Sequence, residues 1–313
     1  KYNLKAFSFK ITFSRAVMAN SPKDIINQII KLLDSNYIFP EVGIKMINHL
    51  VQNESKYQYL IKSNEEKFAI DATKNLREIC KDKHLKIGFD KKLQSKLKND
   101  GYYSNETKLK FRQNNFGFKK IEIFDGNIGY FKLDQFIEIK QSKKVAEATM
   151  RIISNTKAVI IDLRDNQGGT MCLIKLLSSY FFSPTPIHLN SFIWFPTSEE
   201  TESWTHEKIN GKRLINTPLY ILTSHKTFSA AEEFAYNLQN LNRATIIGET
   251  TAGGAHPVAS EILSKNLFFS IPSGRSINPI TNTNWEGTGV IPNIKCKAED
   301  ALEKAKKLAI TQG

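Results

Sequence analysis

Ala158-Val159-Ile160-Ile161-Asp162-Leu163-Arg164-Asp165-Asn166-Gln167-Gly168-Gly169 is the stretch on which the fold turns. Its first six residues form a nearly continuous apolar run, which reads as a strand covered on both faces. The paired glycines that follow allow a sharp turn and let backbone amides face outward before a helix over about 171–181. The rhythm repeats downstream, with a strand at 218–223, a helix at 227–241 and a strand at 244–248. Upstream, 121–124 and 128–133 read as a hairpin around Asp125-Gly126-Asn127, and a helix through 143–154 follows. Residues 268–272 read as an added edge strand. Strand, turn, helix and strand in succession predict an α/β domain with a largely parallel sheet. Functional groups are then expected in turns at the carboxyl ends of the central strands.

The N-terminal quarter has a different period. Ser21-Pro22 is an N-cap followed by proline at the first helical position, and Ile25, Ile26, Ile29, Ile30 and Leu33 follow at helical spacing. Val42, Met46, Ile47 and Leu50 mark a second helix. Ser63-Asn64-Glu65-Glu66 opens a third, with Phe68, Ala69, Ala72, Leu76 and Ile79 on its inner face. The expected organisation is a small helical bundle over 21–82 and an α/β core over 83–298. The core carries an insertion at about 183–215, and 1–20 and 299–313 are tails.

Composition narrows the function classes. The 313 residues hold 44 Lys+Arg against 31 Asp+Glu, a formal charge of +13, and 36 of the 44 bases are Lys. Nucleic-acid readers lean on Arg and interleaved aromatics, whereas here Lys is scattered, so the charge reads as a solvated surface and no nucleic-acid partner is expected. No apolar run is long enough for a membrane span. Cys80, Cys172 and Cys296 have no C-x-x-C spacing, which argues against a disulfide scaffold and a cysteine zinc site; with no nucleotide-binding glycine motif either, no metal or other cofactor is expected. Residues 1–20 are basic and acid-free, but Lys10 breaks the apolar core that an export signal needs.

Two turns carry candidate chemistry. Asp165-Asn166-Gln167-Gly168-Gly169 is either a plain tight turn or a set of amides facing a developing negative charge. In Thr223-Ser224-His225-Lys226-Thr227-Phe228-Ser229-Ala230-Ala231-Glu232 a buried strand runs into a turn, and a serine sits where a helix begins. Ser229 or Thr227 can simply cap that helix. Alternatively, Ser229 is a nucleophile in the positive potential of the helix N-terminus. A serine nucleophile needs a base, and the histidines are His49, His84, His188, His206, His225 and His256. Spacing does not choose among them.

Five ordered motifs carry a resemblance. They are 129–133 (Gly-Tyr-Phe-Lys-Leu), 161–169, 227–232, 248–257 (Gly-Glu-Thr-Thr-Ala-Gly-Gly-Ala-His-Pro) and 286–292 (Glu-Gly-Thr-Gly-Val-Ile-Pro). Together they resemble the carboxyl-terminal-processing (tail-specific) serine peptidases, in the branch of interphotoreceptor retinoid-binding protein and tricorn-like peptidases. The resemblance implies a crotonase-like ββα-spiral core preceded by a small N-terminal helical bundle. It also implies a serine-type peptidase acting on peptides or flexible protein segments, exported to a periplasmic or extracellular compartment.

By that resemblance Ser229 is the nucleophile, and the amides of Gly168, Gly169 and Ala230 form the oxyanion hole. The processing branch places a general-base lysine where this chain has Gly254, and Lys226 does not match that motif. The tricorn-like branch implies His84 as base, with Lys83 standing where that branch has serine, and Glu286 as the supporting acid. His256 is the alternative base. Residues 90–120 leave about 30 positions, too few for the PDZ domain of the processing peptidases. The retinoid-binding relatives imply an alternative, a non-catalytic binder of hydrophobic small molecules, resting on Phe181, Phe182, Phe192, Trp194, Phe195 and Trp204. The oligomeric state is open.

Overall fold

The computed structural model describes residues 19, 21–94 and 105–312; the expectation for residues 1–20 lies outside these except at Ala19. Along the chain run α1 (Pro22–Asn36), α2 (Pro40–Gln52), α3 (Glu54–Ser63), α4 (Glu65–Cys80), β1 (Lys86–Phe89) and α5 (Asn105–Gln113). Then come β2 (Phe118–Phe124), β3 (Ile128–Leu133), α6 (Ile139–Ile152), β4 (Ala158–Asp162), α7 (Met171–Ser179), β5 (His188–Trp194) and β6 (Glu199–Trp204). The remainder is β7 (Leu219–Thr223), α8 (Ala230–Asn240), β8 (Thr245–Gly248), β9 (Val258–Ile262), β10 (Leu267–Pro272), β11 (Gly274–Ile277), β12 (Ile294–Lys295) and α9 (Ala301–Gln312). No helix among the described residues is long and apolar enough to cross a membrane.

The chain divides into two compact units, and the division differs from the expected 21–82/83–298 split. One unit joins the described residues up to Lys108 to Phe195–Thr197 and Pro257–Gly274. Ser21 caps α1 as expected, its Oγ accepting from the Asp24 amide at 3.2 Å, whereas α4 is capped one residue later than the Ser63 box implies: Asn64 Oδ1 accepts from the Lys67 amide at 3.0 Å and Ser63 closes α3. Four helices form among the described residues where three were expected. The additional helix, α3, buries Tyr57, Leu60 and Ile61, a stripe too short to stand out by period. The hairpin β9–β10 belongs here because β10 pairs antiparallel with β1 on one side and β9 on the other. Leu263, Leu267, Phe269 and Ile271 enter the same core as the helix residues Leu33, Leu50 and Leu76. Residues 268–272 are therefore the middle strand of a three-stranded sheet, not an edge of the main one.

The other unit holds a six-stranded sheet in the order β12-β8-β7-β4-β3-β2, parallel throughout except for the β2–β3 hairpin. Every residue of β4 and β7 is buried, and alternation explains how. Val159, Ile161, Leu219 and Ile221 join a core with residues of α6, α7 and α8. Ala158, Ile160, Tyr220 and Leu222 face Ala301, Ala305 and Ala309 of α9 in a second core. Residues 301–312, expected to be a tail, are thus a helix covering one face of the sheet. Within 183–215, β5 and β6 form a hairpin that β11 extends to three strands.

Candidate active site

The two turns meet after the carboxyl ends of β4 and β7. Asn166 is fully buried; its Nδ2 donates to the Leu133 carbonyl at 2.8 Å and its own carbonyl accepts from the Phe228 amide at 3.0 Å. Thr227 Oγ1 donates to the Leu163 carbonyl at 2.8 Å, so this hydroxyl ties the turn after β7 to β4. Gly168 lies against the serine, for a Cβ on it would stand 2.7 Å from Ser229 Cβ at a φ of +99°. Gly169 is equally constrained, since a Cβ there would meet the Phe136 carbonyl oxygen at 2.0 Å.

Ser229 is the N-cap of α8 with φ 57° and ψ −124°, a conformation that L-residues rarely adopt and that costs about 1–3 kcal/mol. Glu232, one turn further on, offsets that cost. Its Oε2 accepts from the amides of Ser229 (2.8 Å) and Gly254 (2.9 Å). Its Oε1 accepts from the Gly253 amide (2.6 Å) and from Thr251 Oγ1 (2.5 Å). Glu232 is fully buried, and burial pushes its carboxyl above the usual range against the pull of these donors. One carboxylate thereby fixes both the serine and the loop 251–254. Spacing hid this role, although Ser229-x-x-Glu232 has the capping-box pattern that could have disclosed it.

The amide of Gly168 donates to Asn166 Oδ1 at 2.8 Å, which corrects the expectation that it faces a ligand. The amides of Gly169 and Ala230 have no hydrogen-bond partner among the described residues. The same unit holds His256, 5% exposed, with Nδ1 3.5 Å from Glu286 Oε2. That oxygen also accepts the Ala255 amide at 2.5 Å, so Glu286 and the loop leading from Gly254 are joined. His84 lies in the other unit, half-buried in the turn between α4 and β1, where its amide donates to Asp82 Oδ1 at 2.8 Å.

The remaining histidines have other partners. His49 Nε2 is 3.0 Å from the Tyr57 hydroxyl, and His188 stacks on Trp204 at 4.5 Å. His206 is held below its ordinary pKa, first by burial and then by Lys175. His225 is exposed and pairs with Glu249 at 2.9 Å. Lys226 points to Asp165, 3.5 Å away.

Next along α8, Glu233 is buried without an ion-pair partner among the described residues. Burial pushes its carboxyl from 4.5 up to about 7, against the opposing pull of nearby Asn190, Lys175 and Asn237. A folded pKa above the unfolded one stabilises fully below about pH 4.5 and is lost as pH rises through about 7. The gap corresponds to about 3 kcal/mol. Urea unfolding of wild type should therefore show stability falling by that order between pH 4.5 and 8. Glu233→Gln should lack this component, and identical pH slopes for the two proteins would refute the assignment.

A family model described as Peptidase family S41 matches residues 127–296, more than half of the chain. The chain belongs to peptidase family S41. Residues 15–109 of this S41 chain match the N-terminal domain of Peptidase S41 in eukaryotic IRBP. It is similar to the carboxyl-terminal-processing protease of Synechocystis sp., at 31% identity over 41% of this chain and 28% of that one. It is also similar to the chloroplastic carboxyl-terminal-processing peptidase 1 of Arabidopsis thaliana, at 21% identity over 75% of this chain and 45% of that one. The chain thus spans less than half the length of these two curated relatives. Among solved structures, a lipoprotein from Streptococcus agalactiae superposes with a TM-score of 0.64 at 16% identity, covering 96% of this chain and all of that one. That likeness shows a shared fold, a mixed α/β core with an N-terminal helical region.

Proposed function

We propose that this S41 chain is a serine peptidase with Ser229 as its nucleophile. The observation that carries the reading is the positive-φ Ser229 at the start of α8, held by Glu232 and packed against Gly168. In the proposed reaction Ser229 Oγ attacks the scissile carbonyl carbon and an imidazole takes the hydroxyl proton. The amides of Gly169 and Ala230 donate to the oxyanion, helped by the positive end of α8. The tetrahedral adduct expels the amine, which receives its proton from the imidazolium. Water, activated by the same imidazole, then hydrolyses the acyl-enzyme.

The resemblance names His84 as the base with Glu286 in support. A second reading, His256 as base, is favoured by its pairing with Glu286 in the unit that carries Ser229. The two separate cleanly. If His84 is the base, His84→Ala should lower kcat by roughly 10³-fold or more and abolish the acid limb of the pH–rate profile. His256→Ala should then retain both, and the reverse pattern would reassign the base. The nucleophile itself is tested by a fluorophosphonate label, expected on Ser229 by peptide mapping; a label on another residue, or none, overturns the reading.

The alternation of hairpin and helix around β3, β4 and β7 supports the crotonase-like spiral as a proposal for the core. Peptides or flexible segments are the proposed substrates. Export to a periplasmic or extracellular compartment is proposed from the resemblance, with the streptococcal lipoprotein of like fold in its favour. The hydrophobic-binder alternative is the weaker reading, because four of the six aromatics it relies on are engaged elsewhere. Phe181 and Phe192 are buried, Trp194 donates to Thr201 Oγ1 at 2.8 Å, and Trp204 stacks on His188 and donates to Glu202.

A further inference from the structure

At the amino ends of β7, β8 and β12 lies a cleft of about 410 Å³, bordered by Arg243, Asn216, Asn242, Thr245, Gln239 and Asn293 among others. No aspartate or glutamate lines it. Arg243 Nε donates to the Phe181 carbonyl at 2.7 Å, and Nη2 donates to the carbonyls of Leu214 (2.5 Å) and Thr217 (2.8 Å). Its guanidinium also lies over the Phe181 ring at 5.4 Å. Among the described residues its Nη1 makes no hydrogen bond, and Arg243 has no ion pair with a carboxylate. Burial alone pushes this guanidinium down to about 10.

Arg243 is half-buried: its Nε and Nη2 are taken up by carbonyls, while Nη1 is not among the buried unpartnered atoms and stays accessible. The carbonyl end of α8 explains why a cation belongs here, but it leaves Nη1 without a partner. The other polar side chains of the cleft are neutral; Gln239 Nε2 is committed to the Ile291 carbonyl and Asn293 Oδ1, which leaves Asn216, Asn242, Thr245 and Asn293 as donors. Asn293 Oδ1 already accepts from the Ile246 amide at 2.8 Å and from Gln239 Nε2 at 3.1 Å, so its Nδ2 remains as a donor. Asn216 and Asn242 are exposed amides on the rim.

We infer that this cleft binds a small oxyanion group, the phosphate or carboxylate of a solute, on Arg243 with the neighbouring amides and hydroxyls as additional donors. A guanidinium with free N–H groups, ringed by neutral donors and free of acids, is suited to such a group. The cleft stands apart from Ser229. Strand β7 runs from one to the other, five residues or about 16 Å, and α8 spans the same interval.

The test is calorimetric titration of the whole protein at low salt with inorganic phosphate and, separately, acetate, each against chloride. Saturable binding of phosphate or acetate is expected, and the stronger of the two identifies the group. Because Arg243 also holds three carbonyls, the decisive variants are Asn216→Asp and Asn242→Asp, which place a carboxylate on the exposed rim. Each should weaken anion binding at least tenfold while thermal unfolding stays unchanged. Absence of saturable binding to wild type, or equal affinity in both variants, overturns the inference.

Discussion

Ser229→Ala is expected to lower kcat/KM for peptide hydrolysis by about 10⁴-fold or more, as loss of a nucleophile does when its base remains in place. The fold should not change, since alanine keeps the same Cβ against Gly168 and the same amide to Glu232. Ser229→Gly sharpens the experiment. Glycine adopts φ 57° without strain, so this variant should be as inactive as Ser229→Ala yet more stable than it by about 1 kcal/mol. A gain in stability accompanying a loss of activity is the signature of strain held for function. Hydrolysis within tenfold of wild type in both variants would remove Ser229 from the mechanism.

The second large effect is expected at Glu232. Its two oxygens accept four hydrogen bonds, two each. Glu232→Gln replaces one oxygen with an NH₂ group, which cannot accept and confronts two donors. Glu232→Ala leaves all four donors buried and unanswered. Either change should cost about 3 kcal/mol or more in unfolding free energy. Activity should fall further than stability explains, because the Ser229 amide and the loop 251–254 are released together. The measurement is kcat at a temperature where the variant is fully folded; wild-type kcat there would show that Glu232 serves stability alone.

Much of this was visible in the residues. The apolar runs of β4 and β7 and the hairpin turn at 125–127 signalled their elements directly, because each signal is local. The turns that carry Ser229 and Gly168-Gly169 were legible for the same reason, since each follows a buried strand; that the Gly168 amide turns back to Asn166 Oδ1 was not. The roles of Glu232 and Glu233 were not, since acids in the first turn of a helix ordinarily face water and complement its dipole. Only tertiary structure makes them buried acceptors. The hairpin 258–272 was misplaced because its apolar face says that it is covered, not what covers it. The three alanines of α9 give only a faint periodic signal in sequence, although they allow a helix to lie close on the sheet.

The placement of that hairpin bears on how the chain comes off the ribosome. Gln28 in α1 donates to the carbonyl of Ile262, 234 positions later, and Asn266 reaches back 201 positions to Glu65. Helices α1–α4 emerge well before β9 and β10, and part of the apolar surface that completes their core is synthesised only after β2, β3, β4, β7 and β8 of the central sheet. The N-terminal unit therefore cannot mature in order of synthesis. Its exposed stripe must wait, a period in which a holdase chaperone would have something to bind.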